Sequence, residues 1–125
     1  MSNLYILGDA DRVREKIERY LLAGNLNELS QFSSTLTAAI SAISQEIQTM
    51  FSGSIVMSGG DDVLFCIPRE QFSKIALEKA SEQFMIRSGC TISFGVSSDI
   101  RLAYINLRCA KSKGGNVIVL TESTS

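Results

Sequence analysis

The tetrapeptide Gly59-Gly60-Asp61-Asp62 lies between two apolar runs, Ile55-Val56-Met57 and Val63-Leu64-Phe65-Cys66-Ile67. A glycine pair between short strand-forming runs marks a tight hairpin, because glycine supplies the positive φ that such turns require. The feature predicts an antiparallel pair over residues 54–58 and 62–67 with two carboxylates at its turn. A further carboxylate-tipped strand opens the chain, where Leu4-Tyr5-Ile6-Leu7 runs into Gly8-Asp9-Ala10-Asp11.

Between and after these strands the apolar spacing changes to that of helices. Residues 11–23 put Val13, Ile17, Tyr20 and Leu21 on one face, and Gly24 suits the helix end. Residues 26–50 carry a sustained stripe that includes Phe32, Leu36, Ile40, Ile43, Ile47 and Met50, which predicts a long helix. Pro68 fits the first turn of a third helix, with Phe72, Ile75, Ala76, Ala80 and Phe84 as its inner face and Ser88-Gly89 as its stop. Residues 90–96 read as a strand, Ser97 or Ser98 as the cap of a helix over 99–112, and Asn116 to Leu120 as a final strand. No internal repeat, linker or low-complexity tract interrupts the pattern, and 125 residues with 45% hydrophobic content suit one domain over residues 1–125.

Strand, helices, hairpin, helix, strand is the split β-α-β-β-α-β order of the α+β ferredoxin-like fold, here extended by a C-terminal helix and strand. The expectation is a mainly antiparallel sheet flanked by helices. In that topology the second hairpin strand lies between the first strand and the first hairpin strand, so the end of the first strand and the hairpin turn share one edge. Neighbouring strands are roughly 4.8 Å apart, which lets Asp9, Asp61 and Asp62 converge on one or two ions. A plain hairpin turn and, for Asp11, a helix N-cap explain the same residues without any ion.

Composition narrows the chemistry. The chain has no histidine, which excludes Ser-His-Asp and Cys-His nucleophilic sites and His-ligated metals. Cys66, Cys90 and Cys109 form no CxxC pair and read as small buried hydrophobes. Carboxylate oxygens without imidazole or paired thiolates select magnesium or manganese, and so point to phosphate chemistry. A net charge of −1 argues against duplex DNA as a partner. With no apolar run long enough to span a bilayer and no basic, apolar leader, the chain is expected to be cytoplasmic without membrane insertion.

Four segments in order, Leu7-Gly8-Asp9-Ala10-Asp11, Gly59-Gly60-Asp61-Asp62, Thr91-Ile92-Ser93-Phe94-Gly95-Val96 and Ala110-Lys111-Ser112-Lys113-Gly114-Gly115-Asn116, carry a resemblance that runs nearly end to end. The chain resembles the palm-type cyclases, which include GGDEF diguanylate cyclases and the polymerase subunit of type III CRISPR complexes, and most closely the minimal CRISPR polymerases, mCpol. The GGDD form favours the CRISPR-type branch.

The resemblance implies a nucleotidyltransferase that makes a cyclic di- or oligonucleotide from ATP with two Mg2+ or Mn2+ ions, in antiphage signalling to a separate effector that is membrane-bound in known relatives. Asp9 would ligate both ions, Ala10 would lend its carbonyl, and Asp61 and Asp62 would complete the catalytic and metal set. Gly8, Ala10, Asp11, Arg12, Gly59 and Gly60 would border the nucleotide, with the amides from Ala10 to Arg12 facing the triphosphate at a helix N-terminus. Lys111 matches the lysine that contacts the triphosphate in GGDEF domains. Two departures stand out: the arginine expected four positions further on is Gly115, which leaves Lys113 to replace its charge, and the guanine-reading asparagine and aspartate have no counterparts. A GTP-using diguanylate cyclase and a non-catalytic module that binds a nucleotide or cyclic dinucleotide are the alternatives.

Ring closure between two nucleotides asks for two facing sites or one site working twice, and a homodimer is the simpler arrangement. Between Leu29 and Ser58 the one charged residue is Glu46. Opposite the apolar stripe lie Ser30, Ser33, Ser41, Ser44, Gln45 and Gln48, and such charge depletion suits either a subunit contact or a neutral solvated face.

Overall fold

The computed structural model describes residues 2–121, which form a five-stranded sheet with helices on both faces. The elements follow as β1 (Asn3–Ala10), α1 (Val13–Leu22), α2 (Leu26–Phe51), β2 (Ser54–Ser58), β3 (Asp62–Pro68), α3 (Lys74–Ser88), β4 (Ile92–Ser97), α4 (Ile100–Ser112) and β5 (Ile118–Thr121). The strand order is β2-β3-β1-β4-β5, antiparallel except for the β4-β5 pair. This is the expected ferredoxin-like α+β arrangement, with α4 and β5 as the extension.

The two faces of the sheet are filled differently. Leu4, Ile6, Val63, Phe65, Ile67 and Phe94 point to one side, where they meet the stripe of α2, from Phe32 to Phe51, and Leu77, Ala80 and Phe84 of α3. Burying a side chain of this size contributes about 1.5–3 kcal/mol, so this side holds the core. The other side is covered by α4 alone, through Ala103, Leu107 and Ala110. Every residue of β4 is buried because helices close over both of its faces. Tyr5, Leu7, Leu64 and Cys66, on the α4 side of the sheet, are half-buried.

Several expectations are corrected. Pro68 ends β3 and starts no helix; a 3-10 turn at Arg69–Gln71 follows, and Ser73 caps α3 by accepting from the Ala76 N–H at 3.2 Å. Ile75 is exposed and Leu77 takes the inner position, at helical spacing from the buried Ala80 and Phe84. Asp99, rather than Ser97 or Ser98, caps α4. Leu21 is exposed, and α1 has no fully buried residue. Neither Gly59 nor Gly60 adopts a positive φ; a Cβ on Gly59 would collide with the Asp62 carboxylate, so close approach explains that glycine. Of the cysteines only Cys90 is buried. Ser44 is also buried, and its hydroxyl meets that of Ser58 at 3.2 Å, so it leaves the polar face of α2. Among the described residues no helix is long and apolar enough to cross a membrane.

Candidate active site

The sheet's ladder sets the site. Asp9 is paired with Asp62 on β3 and with Ser93 on β4, and the Ala10 N–H donates to the Asp61 carbonyl at 2.8 Å. The carboxylates of the first strand and of the hairpin therefore share one edge. Side chains alternate along β1, so Tyr5, Leu7 and Asp9 face the α4 side, while Gly8 and Ala10 are buried towards the core. A Cβ on Gly8 would run into the Phe94 ring, so this glycine leaves room for that ring over β1. Gly59 and Gly60 are exposed at the turn, and Asp61 and Asp62 are half-buried behind it.

Lys111, in the last turn of α4, reaches this edge. Its Nζ donates to the carbonyls of Asp9 and Ala10, each at 3.0 Å, and to Asp11 Oδ1 at 2.7 Å, and it lies 3.3 Å from Asp9 Oδ2. Partial burial pushes the Asp9 carboxyl above the ordinary carboxylate range. The Lys111 ammonium group pulls it back, and the charges of Asp61 and then Asp62 push it up again. Burial, ahead of any neighbouring charge, thus decides the direction at Asp9.

Asp11 behaves otherwise. The helix cap is Arg12, in a left-handed conformation with φ 60°, and the Asp11 side chain caps nothing. It is buried, 4% exposed, and both oxygens are occupied. Oδ1 accepts from Lys111 and from the Ser93 hydroxyl at 2.8 Å; Oδ2 accepts from the Thr91 hydroxyl at 2.7 Å and the Asn116 N–H at 2.8 Å. Burial alone would raise this carboxyl, but these donors outweigh it and hold Asp11 below the usual range. Thr91, Ser93 and Asn116 were not singled out as site residues in the sequence. The signal was available in serine at an inward position of a buried strand, since buried polar groups require partners.

Gly115, which stands where an arginine was expected, has φ 85°, and a Cβ there would lie 2.7 Å from the Asp11 carboxylate carbon. The loop that closes onto Asp11 thus leaves no room for a side chain. Lys113 is exposed and makes no ion pair among the described residues. The amides expected to face a triphosphate are only partly available, because Ala10 N–H and Asp11 N–H are committed to Asp61 and Thr91 carbonyls.

Among the described residues no group of three or more acidic or thiol side chains is drawn into a ready coordination sphere. The donor types still fit a hard divalent cation: Asp9, Asp61, Asp62 and the Ala10 carbonyl offer oxygen only, along one sheet edge.

A twisted antiparallel sheet with acids at the β1 end and the hairpin turn defines a palm-type nucleotide polymerase or cyclase domain. The family model for the minimal CRISPR polymerase domain, mCpol, matches residues 5–121, and the chain belongs to that family. The Csm1–Csm4 cassette in complex with cA4 shares the fold with a TM-score of 0.75 at 19% identity, over 98% of this chain and 21% of that one. The same cassette in complex with one ATP matches with a TM-score of 0.73 at 18% identity, over 94% and 20%. The active GGEEF domain of a diguanylate cyclase from Vibrio cholerae matches with a TM-score of 0.57 at 13% identity, over 98% and 85%. The chain thus spans about a fifth of the cassette chains it resembles. No curated protein sequence matches it.

Proposed function

We propose that the chain is a metal-dependent nucleotidyltransferase that joins ATP into a cyclic di- or oligonucleotide and releases pyrophosphate. The observation that carries this reading is the single rung that holds Asp9 beside Asp62, with Asp61 next in the turn, in a member of the mCpol family. Adenine is favoured because solved structures of this fold are complexes with ATP, AMPPNP, pppApA and cA4. The sealed loop at Gly115 separates the chain from the diguanylate cyclases, since no arginine of their kind fits there.

Asp9, Asp61, Asp62 and the Ala10 carbonyl would hold two Mg2+ or Mn2+ ions. When bound, such ions supply Lewis-acid activation of a ribose hydroxyl and charge stabilisation for the leaving pyrophosphate. The chain's own contribution is positional. The β1-β3 ladder fixes the spacing of the acids, the turn at Gly59-Gly60 leaves an open approach, and exposed Arg12 and half-buried Lys111 set positive charge where a triphosphate would lie. Ring closure would use two copies of the chain with facing sites in the cytoplasm, and the product would act in antiphage signalling through a separate, membrane-bound effector.

The alternative is a palm module that binds a nucleotide or cyclic dinucleotide without chemistry, which the absence of a preassembled acid cluster among the described residues favours. Incubation of the purified chain with each of the four NTPs and Mg2+ or Mn2+, beside D61A/D62A, separates the two by mass spectrometry. A cyclic adenine-containing product that disappears in the folded double variant is the expected result. No product and no pyrophosphate from folded wild-type chain with any nucleotide would sink the enzyme reading and leave the binding module.

A further inference from the structure

Lys111 occupies the oxygens a metal would need. Its ammonium group is held by two backbone carbonyls, Asp9 and Ala10, and lies beside the Asp9 carboxylate. It is three-quarters buried, with 26% of its side chain exposed, and a charged group so placed persists only where its partners replace water. Those partners include the Ala10 carbonyl and the Asp9 carboxylate, the same donors that the metal reading assigns to a divalent ion.

We propose that the Lys111 ammonium group and a divalent ion exclude one another at Asp9 and Ala10, so that Lys111 is a resident counter-cation that must move before the site loads. The inference rests on the metal reading of this edge. A carbonyl oxygen has two lone pairs and could accept from both. The obstacle is charge: an ammonium group and a divalent ion sharing a carboxylate and a carbonyl repel each other in a half-buried setting, where water screens poorly. Asp11 makes the displacement incomplete. Its Oδ1 bonds Lys111 at 2.7 Å, it is buried, and Thr91, Ser93 and the Asn116 N–H fix its position. Lys111 can therefore leave Asp9 and Ala10 while keeping its tether to Asp11, and its free N–H groups then point out of the acidic edge. Lys111 is in this sense a positioning residue that sets a threshold for metal entry and limits loading at low metal concentration.

The test measures metal binding without nucleotide and without turnover. Mn2+ is titrated into wild type, K111M and D9N, and free Mn2+ is read from its electron paramagnetic resonance signal, with folding checked by circular dichroism. K111M is expected to bind Mn2+ about tenfold more tightly than wild type, and D9N to lose that binding. If K111M does not fold because Asp11 is left unpaired, K111M/D11N, which removes both charges, takes its place. D9N-sensitive binding that is unchanged or weaker without the lysine overturns the proposal and leaves the metal site standing. Absence of D9N-sensitive binding in both wild type and the lysine variant overturns the metal reading and the proposal together. An independent measurement uses wild type alone: the side-chain 15N–1H resonance of Lys111, protected in metal-free protein, is expected to shift or exchange away as Mg2+ is added. A resonance that stays fixed while the Ala10 amide shifts overturns the displacement.

Discussion

Replacing Asp11 with asparagine keeps the size of the side chain and puts an N–H2 group among four donors, including the Lys111 ammonium group. Removing one partner of a buried ion pair costs about 3–5 kcal/mol, so D11N should lower Tm by more than about 10 °C, read by thermal melting. The pH dependence has a definite sign. The folded-state pKa of Asp11 lies below its unfolded value, so its contribution is present above roughly pH 4 and is lost as pH falls through the folded pKa. The Tm gap between wild type and D11N is therefore full at neutral pH and closes in acid; a gap that widened below pH 4 would contradict this account. Gly115→Ala places a methyl group 2.7 Å from the same carboxylate carbon at φ 85°, and is expected to cost roughly 2 kcal/mol in a denaturant titration. The acids at Asp9, Asp61 and Asp62 could be placed on one edge in advance because each follows a legible apolar strand run, and the split β-α-β-β-α-β order brings those strand ends together. The closure around Asp11 could not, because its donors sit up to 105 positions away and nothing local in Asn116 or Thr91 announces the contact.

The elements were legible where periodicity was strong. α2 runs Leu26–Phe51 against an expected 26–50, and the hairpin strands match closely. The error at α3 came from a proline that serves equally well in the first turn of a helix and at the end of a strand; tertiary pairing of Pro68 with Asn3 decided for the strand. The segment Thr91 to Val96, noticed as a family marker, now has a physical reading. Thr91 and Ser93 hold Asp11, and Gly95 lets the backbone of α4 lie directly against β4, since a Cβ there would meet the Ala103 carbonyl and the Leu107 amide. Gly95→Ala should push α4 away from the sheet and carry Lys111 with it. The expected outcome is a loss of at least about 3 kcal/mol in urea unfolding, together with weakened nucleotide binding. Stability lost without any change at the site would separate α4 packing from the placement of Lys111.

The uncharged outer face of α2 retains Ser33, Ser41, Gln45 and Gln48 as exposed residues, and Glu46 beside it is paired with Arg87 of α3. If this face joins two copies, Ser41→Glu with Gln45→Glu should convert a dimer to a monomer in light scattering while the fold persists. Wild-type protein that is already monomeric at high concentration would remove the idea. The connection between Asp11 and the loop after α4 has a consequence for how the protein comes into being. The acids emerge from the ribosome early, but the ammonium group that restrains Asp9 and the amide that closes on Asp11 belong to residues 111 and 116. A tethered, incomplete chain can lay down β1 and the hairpin, yet its buried carboxylate has no counter-charge. The acidic edge thus stays unfinished during synthesis until residues 111 and 116 have followed the strands out of the ribosome.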